Sequence, residues 1–150
     1  MQRGGAYGRL GDHRGIGAGP GGLESFVPLD DGIERFRAAE DKLRRGAPLH
    51  ALTDLEPLLA DEPVSRSVLE LAARAYYASA QLSRAEAAFA RLVELDPTDA
   101  YARFALGRSV ARQQRFPEAV GHLRVACALD PRSEYREALA RAEARAGRTA

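Results

Sequence analysis

His13, His50, His122 and Cys127 are the side chains of this chain most apt to act as base, metal ligand or nucleophile. Their spacing builds nothing catalytic. No carboxylate or second cysteine stands where a triad or a metal site would need it. Cys127 is the only cysteine, so no intrachain disulfide can form, and it reads as a small buried hydrophobe. The glycine-rich stretch GIGAGPGG, residues 15–22, lacks the Gly-Lys-Ser/Thr that opens a helix under a nucleotide phosphate. No enzyme activity, no metal and no cofactor is therefore expected. What remains is recognition chemistry, carried by arginine and by tyrosine and phenylalanine.

The frame for that chemistry follows from composition. The chain has 150 residues, 45% hydrophobic and 29% charged, which suits one domain with a packed core. Basic and acidic residues nearly cancel, 22 against 21, so bulk charge draws in neither nucleic acid nor membrane. Lys42 is the only lysine, and asparagine and tryptophan are absent. That bias looks like a GC-rich bacterial genome more than a functional choice. Arg3, Arg9 and Arg14 are followed by no apolar run, so no secretory signal is read, and no stretch is long and apolar enough to span a membrane. The expected location is cytoplasmic.

Residues 1–29 read as a disordered glycine-rich N-terminal tail and linker, because ordering so many glycines costs entropy that few apolar side chains offset. The end of that stretch, Leu23 to Leu29, reads as a linker that packs loosely on the first helix, or instead as a self-ligand that occupies a groove on the folded part. Asp30 or Asp31 is a candidate N-cap for the helix that follows. Residues 30–148 read as one helical domain. Prolines close segments at Pro63, Pro97 and Pro131, each 34 residues from the next. Ala51, Ala85 and Ala119 share that register, as do Leu55, Phe89 and Leu123. So do Ala38, Ala72 and Leu106, and the positions after them, Ala39, Ala73 and Gly107. Leu58, Leu92 and Ala126 complete the set.

This pattern resembles the tetratricopeptide repeat (TPR) family, whose unit is a 34-residue helix–turn–helix. The resemblance implies an all-α fold: a right-handed α-solenoid of three repeats, at about 32–65, 66–99 and 100–133. A C-terminal capping helix follows at 133–146. Its Tyr135, Ala138, Leu139 and Ala142 share one face, Ser133 is its N-cap candidate, and Glu134, Arg136, Glu137, Arg141, Glu143 and Arg145 face water. Two departures concern the first unit. Pro57 falls inside its second helix, where a proline costs about 3 kcal/mol and predicts a kink or a loosened last turn. Lys42 stands where the family prefers an aromatic.

In TPR-like stacks the concave face is lined mainly by the first helix of each unit. By that resemblance the groove positions hold Ser67, Glu70, Arg74, Tyr77 and Ala78 in the second unit and Tyr101, Phe104, Arg108, Ala111 and Arg112 in the third; of these, Glu70, Arg74, Tyr77, Tyr101, Phe104, Arg108 and Arg112 are the candidate binding residues. The first unit contributes Ile33, Phe36, Glu40, Leu43 and Arg44. Guanidinium groups fork onto carboxylates and the aromatics offer flat apolar contact. The implied function is non-catalytic protein–protein interaction, an adaptor or scaffold that takes an acidic or apolar peptide segment of a partner protein. Tyr101 and Phe104 are expected to be exposed anchors. The lysines and asparagines with which some relatives grip chaperone C-termini are missing: the matching positions hold Phe36, Glu40, Leu71, Tyr101 and Ala105. Self-association through the cap helix or the solenoid end, giving a homo-oligomer, is the second reading. Single-stranded RNA binding is a lesser one, and the balance of charges argues against it.

Overall fold

The structure is a computed structural model that describes residues 29–149; the tail and linker expectations for residues 1–28 lie outside the described residues. Seven α-helices and no strands occupy the described residues. They are α1 (Leu29–Arg44), α2 (Pro48–Ala60), α3 (Arg66–Ala78), α4 (Leu82–Leu95), α5 (Ala100–Arg112), α6 (Phe116–Leu129) and α7 (Ser133–Ala146). Each helix packs chiefly on its neighbours in sequence, and α1 also touches α3 as α5 touches α7. The result is an all-α solenoid of helical repeats, in which only adjacent units share a core.

Three turns set the hairpins, and they repeat in register. Gly46, Ala80 and Gln114 have φ of 79°, 59° and 69°, the left-handed value that reverses the chain after a helix. Around each, two backbone bonds close the helix end: Ala47 N–H to Lys42 O (2.8 Å), Gln81 N–H to Tyr76 O (2.8 Å) and Arg115 N–H to Val110 O (3.3 Å), each with a shorter loop inside it. Ser65 and Asp99 cap α3 and α5, accepting from Val68 N (3.2 Å) and Ala102 N (3.0 Å). Arg66 of α3 pairs with the same Asp99, tying the start of one unit to the start of the next.

The core explains the 34-residue register. Leu55, Phe89 and Leu123 are at most 1% exposed, and Ala51, Ala85 and Ala119 are fully buried. Opposite them stand Ala39, Ala73 and Gly107, whose small size lets paired helices approach. At Gly107 the approach is so close that a Cβ would lie 2.8 Å from Leu123 Cγ. Three clusters fill the junctions: Leu55 with Leu71 and Ala72, Phe89 with Ala102 and Leu106, and Leu123 with Phe104 and Tyr135. The last is built by α7, which buries Tyr135, Ala138 and Ala142.

Some local expectations need correction. Asp30 and Asp31 lie inside the first turn of α1, where their carboxylates complement the helix dipole, rather than before it. Ser133 is likewise inside α7, and Arg132 precedes it without a side-chain cap. Cys127 is only half-buried, because it sits at the edge of the last cluster. α2 continues through Pro57 to Ala60 before the chain turns extended at Asp61. Lys42 reaches Asp54 of α2 at 2.6 Å, so an ion pair spans the first hairpin where an aromatic was expected.

Two helical glycines, Gly107 and Gly121, separate packing from propensity. Gly107→Ala should destabilise the fold by about 1–2 kcal/mol, since overpacking against Leu123 outweighs the helix propensity gained. Gly121→Ala, with nothing within 4 Å of its Cβ, should stabilise by up to about 1 kcal/mol. Thermal melts by circular dichroism would read opposite shifts; melts shifting the same way would refute the close approach. Ala80→Gly and Gln114→Gly should each raise stability by roughly 0.5–1 kcal/mol by relieving a left-handed side-chain residue. Urea titration checks this, and a loss of stability would contradict the turn geometry.

Candidate functional site

The first helix of each hairpin presents its outer face to one side of the solenoid. Between α1, α3 and α5 that side dips into a cavity of about 240 Å³, lined by Leu43, Arg74, Tyr77, Tyr101, Phe104 and Arg108 among others. The floor is apolar, with Phe89, Phe104 and Ala105 all buried. Tyr101 stands on it, 38% exposed, with its ring edge-on to Phe89 at 6.3 Å between centroids. Burial pushes the Tyr101 hydroxyl above its ordinary range although Arg74 and Arg108 oppose the shift, so near neutral pH the phenol stays a donor.

Arginine caps the aromatics. The Arg108 guanidinium lies 4.9 Å from the Tyr77 ring centroid and 5.4 Å from that of Phe104. Arg112 stacks on Tyr77 at 4.7 Å and donates from Nη1 to the Tyr77 carbonyl at 3.1 Å. A cation held over a ring is oriented at little cost and keeps free N–H groups for an incoming acceptor. Arg74 and Arg108 have exposed side chains at the rim of the cavity.

Five of the seven residues read from the sequence, Arg74, Tyr77, Tyr101, Phe104 and Arg108, line this one cavity. Glu70 does not line it; its carboxylate is felt at Tyr101 only through its charge. Arg112 lies one turn further along, in a second depression between α5 and α7. Phe104 is not the exposed anchor expected. It is 3% exposed and stacked on Tyr135 of α7 at 4.3 Å, 24° from parallel. The cap helix covers it, which the third unit alone could not reveal.

Two residues were missed. Arg141 and Arg145 of α7, read as facing water, line the second depression together with Arg108 and Arg112. The 34-residue register, extended one unit further, puts Arg145 at a groove position, the one Ala111 fills in α5. Arg141 falls at the position of Gly107, so register gives no signal for it. Among the described residues, no group of three or more histidines, cysteines and carboxylates could hold a metal ion. No described helix is long and apolar enough to cross a membrane.

A family model described as Tetratricopeptide repeat matches residues 70–134. No sequence among curated proteins matches. Solved structures with similar folds include the first TPR of Spaghetti (RPAP3) bound to the HSP90 peptide SRMEEVD, at 18% identity and a TM-score of 0.68, covering 78% of this chain and 94% of that one. MamA MSR-1 C2 is similar at 22% identity and a TM-score of 0.71, over 81% of this chain and 71% of that one. PcrH in complex with the chaperone binding region of PopB is similar at 12% identity and a TM-score of 0.62, over 80% and 98%. Residues 70–134 belong to the tetratricopeptide repeat family, and the described helices take the all-α solenoid fold of its repeats.

Proposed function

We propose that this chain is a non-catalytic adaptor that captures a peptide segment of a partner protein on the face formed by α1, α3 and α5. The observation that carries the reading is the cavity itself: an apolar floor, a half-exposed Tyr101 and two exposed arginines, Arg74 and Arg108, at its rim. Such a pocket suits an apolar side chain flanked by carboxylates. Rings supply contact area at low entropic cost, and arginine is rich in fork-shaped donors. Two proteins of similar fold are solved with a peptide or a partner's binding region, which supports the class of function. The grip on a free C-terminal carboxylate is left out of the reading. The matching positions, Phe36, Glu40, Leu71, Tyr101 and Ala105, carry neither lysine nor asparagine. In this reading residues 30–148 act as one unit, with repeats at about 32–65, 66–99 and 100–133 and the cap helix at 133–146.

A second reading, self-association through the end of the solenoid, draws on a different feature. Leu29, Ile33, Phe36, Leu58 and Val68 line an open apolar depression at the α1 end, with Leu29 78% exposed. A surface of that kind is commonly covered by protein.

The groove is tested by pull-down from the native host, comparing the unaltered chain with Arg74→Glu/Arg108→Glu and with Tyr101→Ala. Phe104 is spared because it is buried. A partner held by the unaltered chain should be weakened about tenfold or more by either variant, as loss of a charge-assisted hydrogen bond or an aromatic anchor implies. Equal capture by folded variants would take these residues out of the site. Sedimentation velocity over a range of concentrations tests self-association, and a constant monomeric coefficient would remove it.

A further inference from the structure

The second depression lies between α5 and α7 and has a volume of about 270 Å³. Four of its lining residues are arginines: Arg108 and Arg112, one turn apart on α5, and Arg141 and Arg145, one turn apart on α7. The rest are Tyr77, Phe116, Leu123 and the alanines 111, 138 and 142. No carboxylate lines it. Neighbouring charges on α7 are spent elsewhere or only loosely engaged. Glu143 pairs with Arg124 of α6 at 3.0 Å, and Glu137 approaches Arg141 only to 3.9 Å with both side chains about 70% exposed.

Four like charges line one trough, and like charges repel wherever they come within the screening length, about 8 Å at physiological ionic strength. Stability gives no reason to gather them there. The rings beneath them are a partial account: Arg108 and Arg112 lie over Tyr77, and Arg145 lies 5.0 Å from the Phe116 centroid. Stacking orients a guanidinium but leaves its charge unneutralised and its edge donors free. The alanines between the two arginine rows leave room for another chain. Tyr77 and Arg108 line both this trough and the apolar cavity, so the two adjoin.

We propose that the α5–α7 trough is an acidic-peptide subsite: Arg108, Arg112, Arg141 and Arg145 receive two or more carboxylates of a segment whose apolar side chain occupies the adjoining cavity. The inference rests on the peptide-binding reading above and adds to it a direction. The apolar anchor lies toward α1 and α3, and the acidic run lies toward the cap helix. It also turns α7 from a cover into part of the site.

The probe is a displayed library of random twelve-residue peptides, selected on the full chain. Enriched peptides are measured by fluorescence anisotropy against the unaltered chain, Arg141→Gln/Arg145→Gln, Arg141→Lys/Arg145→Lys and Tyr101→Ala. The expected peptides carry at least two Asp or Glu beside a bulky apolar residue. Affinity should fall about tenfold or more when those acids become Asn or Gln, and equally with the double Gln variant. The Lys pair should hold an intermediate affinity, since it keeps the charge and loses the fork. Thermal melts confirm that each variant is folded. Peptides weakened by Tyr101→Ala but indifferent to Arg141, Arg145 and their own acids would overturn the subsite and leave the groove standing. No enrichment over a blank surface would overturn both. A labelled poly-uridine strand that binds more tightly than any enriched peptide, and is lost in the double Gln variant, would give the trough to nucleic acid and overturn the proposal.

Discussion

Everything in this molecule depends on how closely the two helices of each hairpin approach. Alanine or glycine at 39, 73 and 107 and alanine at 51, 85 and 119 bring the backbones together, and Leu55, Phe89 and Leu123 fill what is left. Contact at this distance is specific because a close-packed interior tolerates little change in volume. Each large residue also meets the first helix of the following unit, so one side chain seals both the hairpin and the junction. Repeating that arrangement every 34 residues stacks α1, α3 and α5 along one side. The groove is a by-product of the stacking, and its depth is set by what the junctions bury.

The junctions therefore decide which groove residues are free to bind. Phe89 and Phe104 are committed to the core and serve the site as its floor. Tyr101 above that floor and Arg74 and Arg108 at the rim remain accessible. The polar ties lie elsewhere. Arg115 holds Glu86 of α4 at 2.8 Å while also pairing with Glu118, and that contact keeps the Glu86 carboxyl below its usual range. Lys42 and Asp54 close the first hairpin. Among these residues opposite charges are matched. Around the α5–α7 trough only Arg141 has a carboxylate near it, Glu137 at 3.9 Å, and that imbalance is what distinguishes it from an ordinary solvated face.

The similar structures share the solenoid with this chain at 12–22% identity, a level at which backbone architecture persists and surface chemistry need not. The likeness is one of fold alone. The chemistry of this groove has to come from its own residues, and those differ from a carboxylate grip: Phe36, Glu40, Leu71, Tyr101 and Ala105 stand where lysines and asparagines would be needed.

The sequence by itself determined the repeat. Small residues, large residues and helix-ending prolines recur at a fixed interval because each unit meets the same packing problem, and periodic constraints leave periodic traces. Register also puts Arg74 and Arg108 at equivalent positions of successive units, and the family resemblance implied that they share the groove face with Tyr77 and Tyr101. It could not say how exposed each would be. Phe104 and Tyr101 both sit on the groove side of α5, and only the docking of Tyr135, some thirty residues later in the chain, buries one and leaves the other open. Arg141 was hidden for the same reason. Its neighbours across the trough come from α5, and contact between helices distant in sequence is decided by tertiary packing, which no local spacing records.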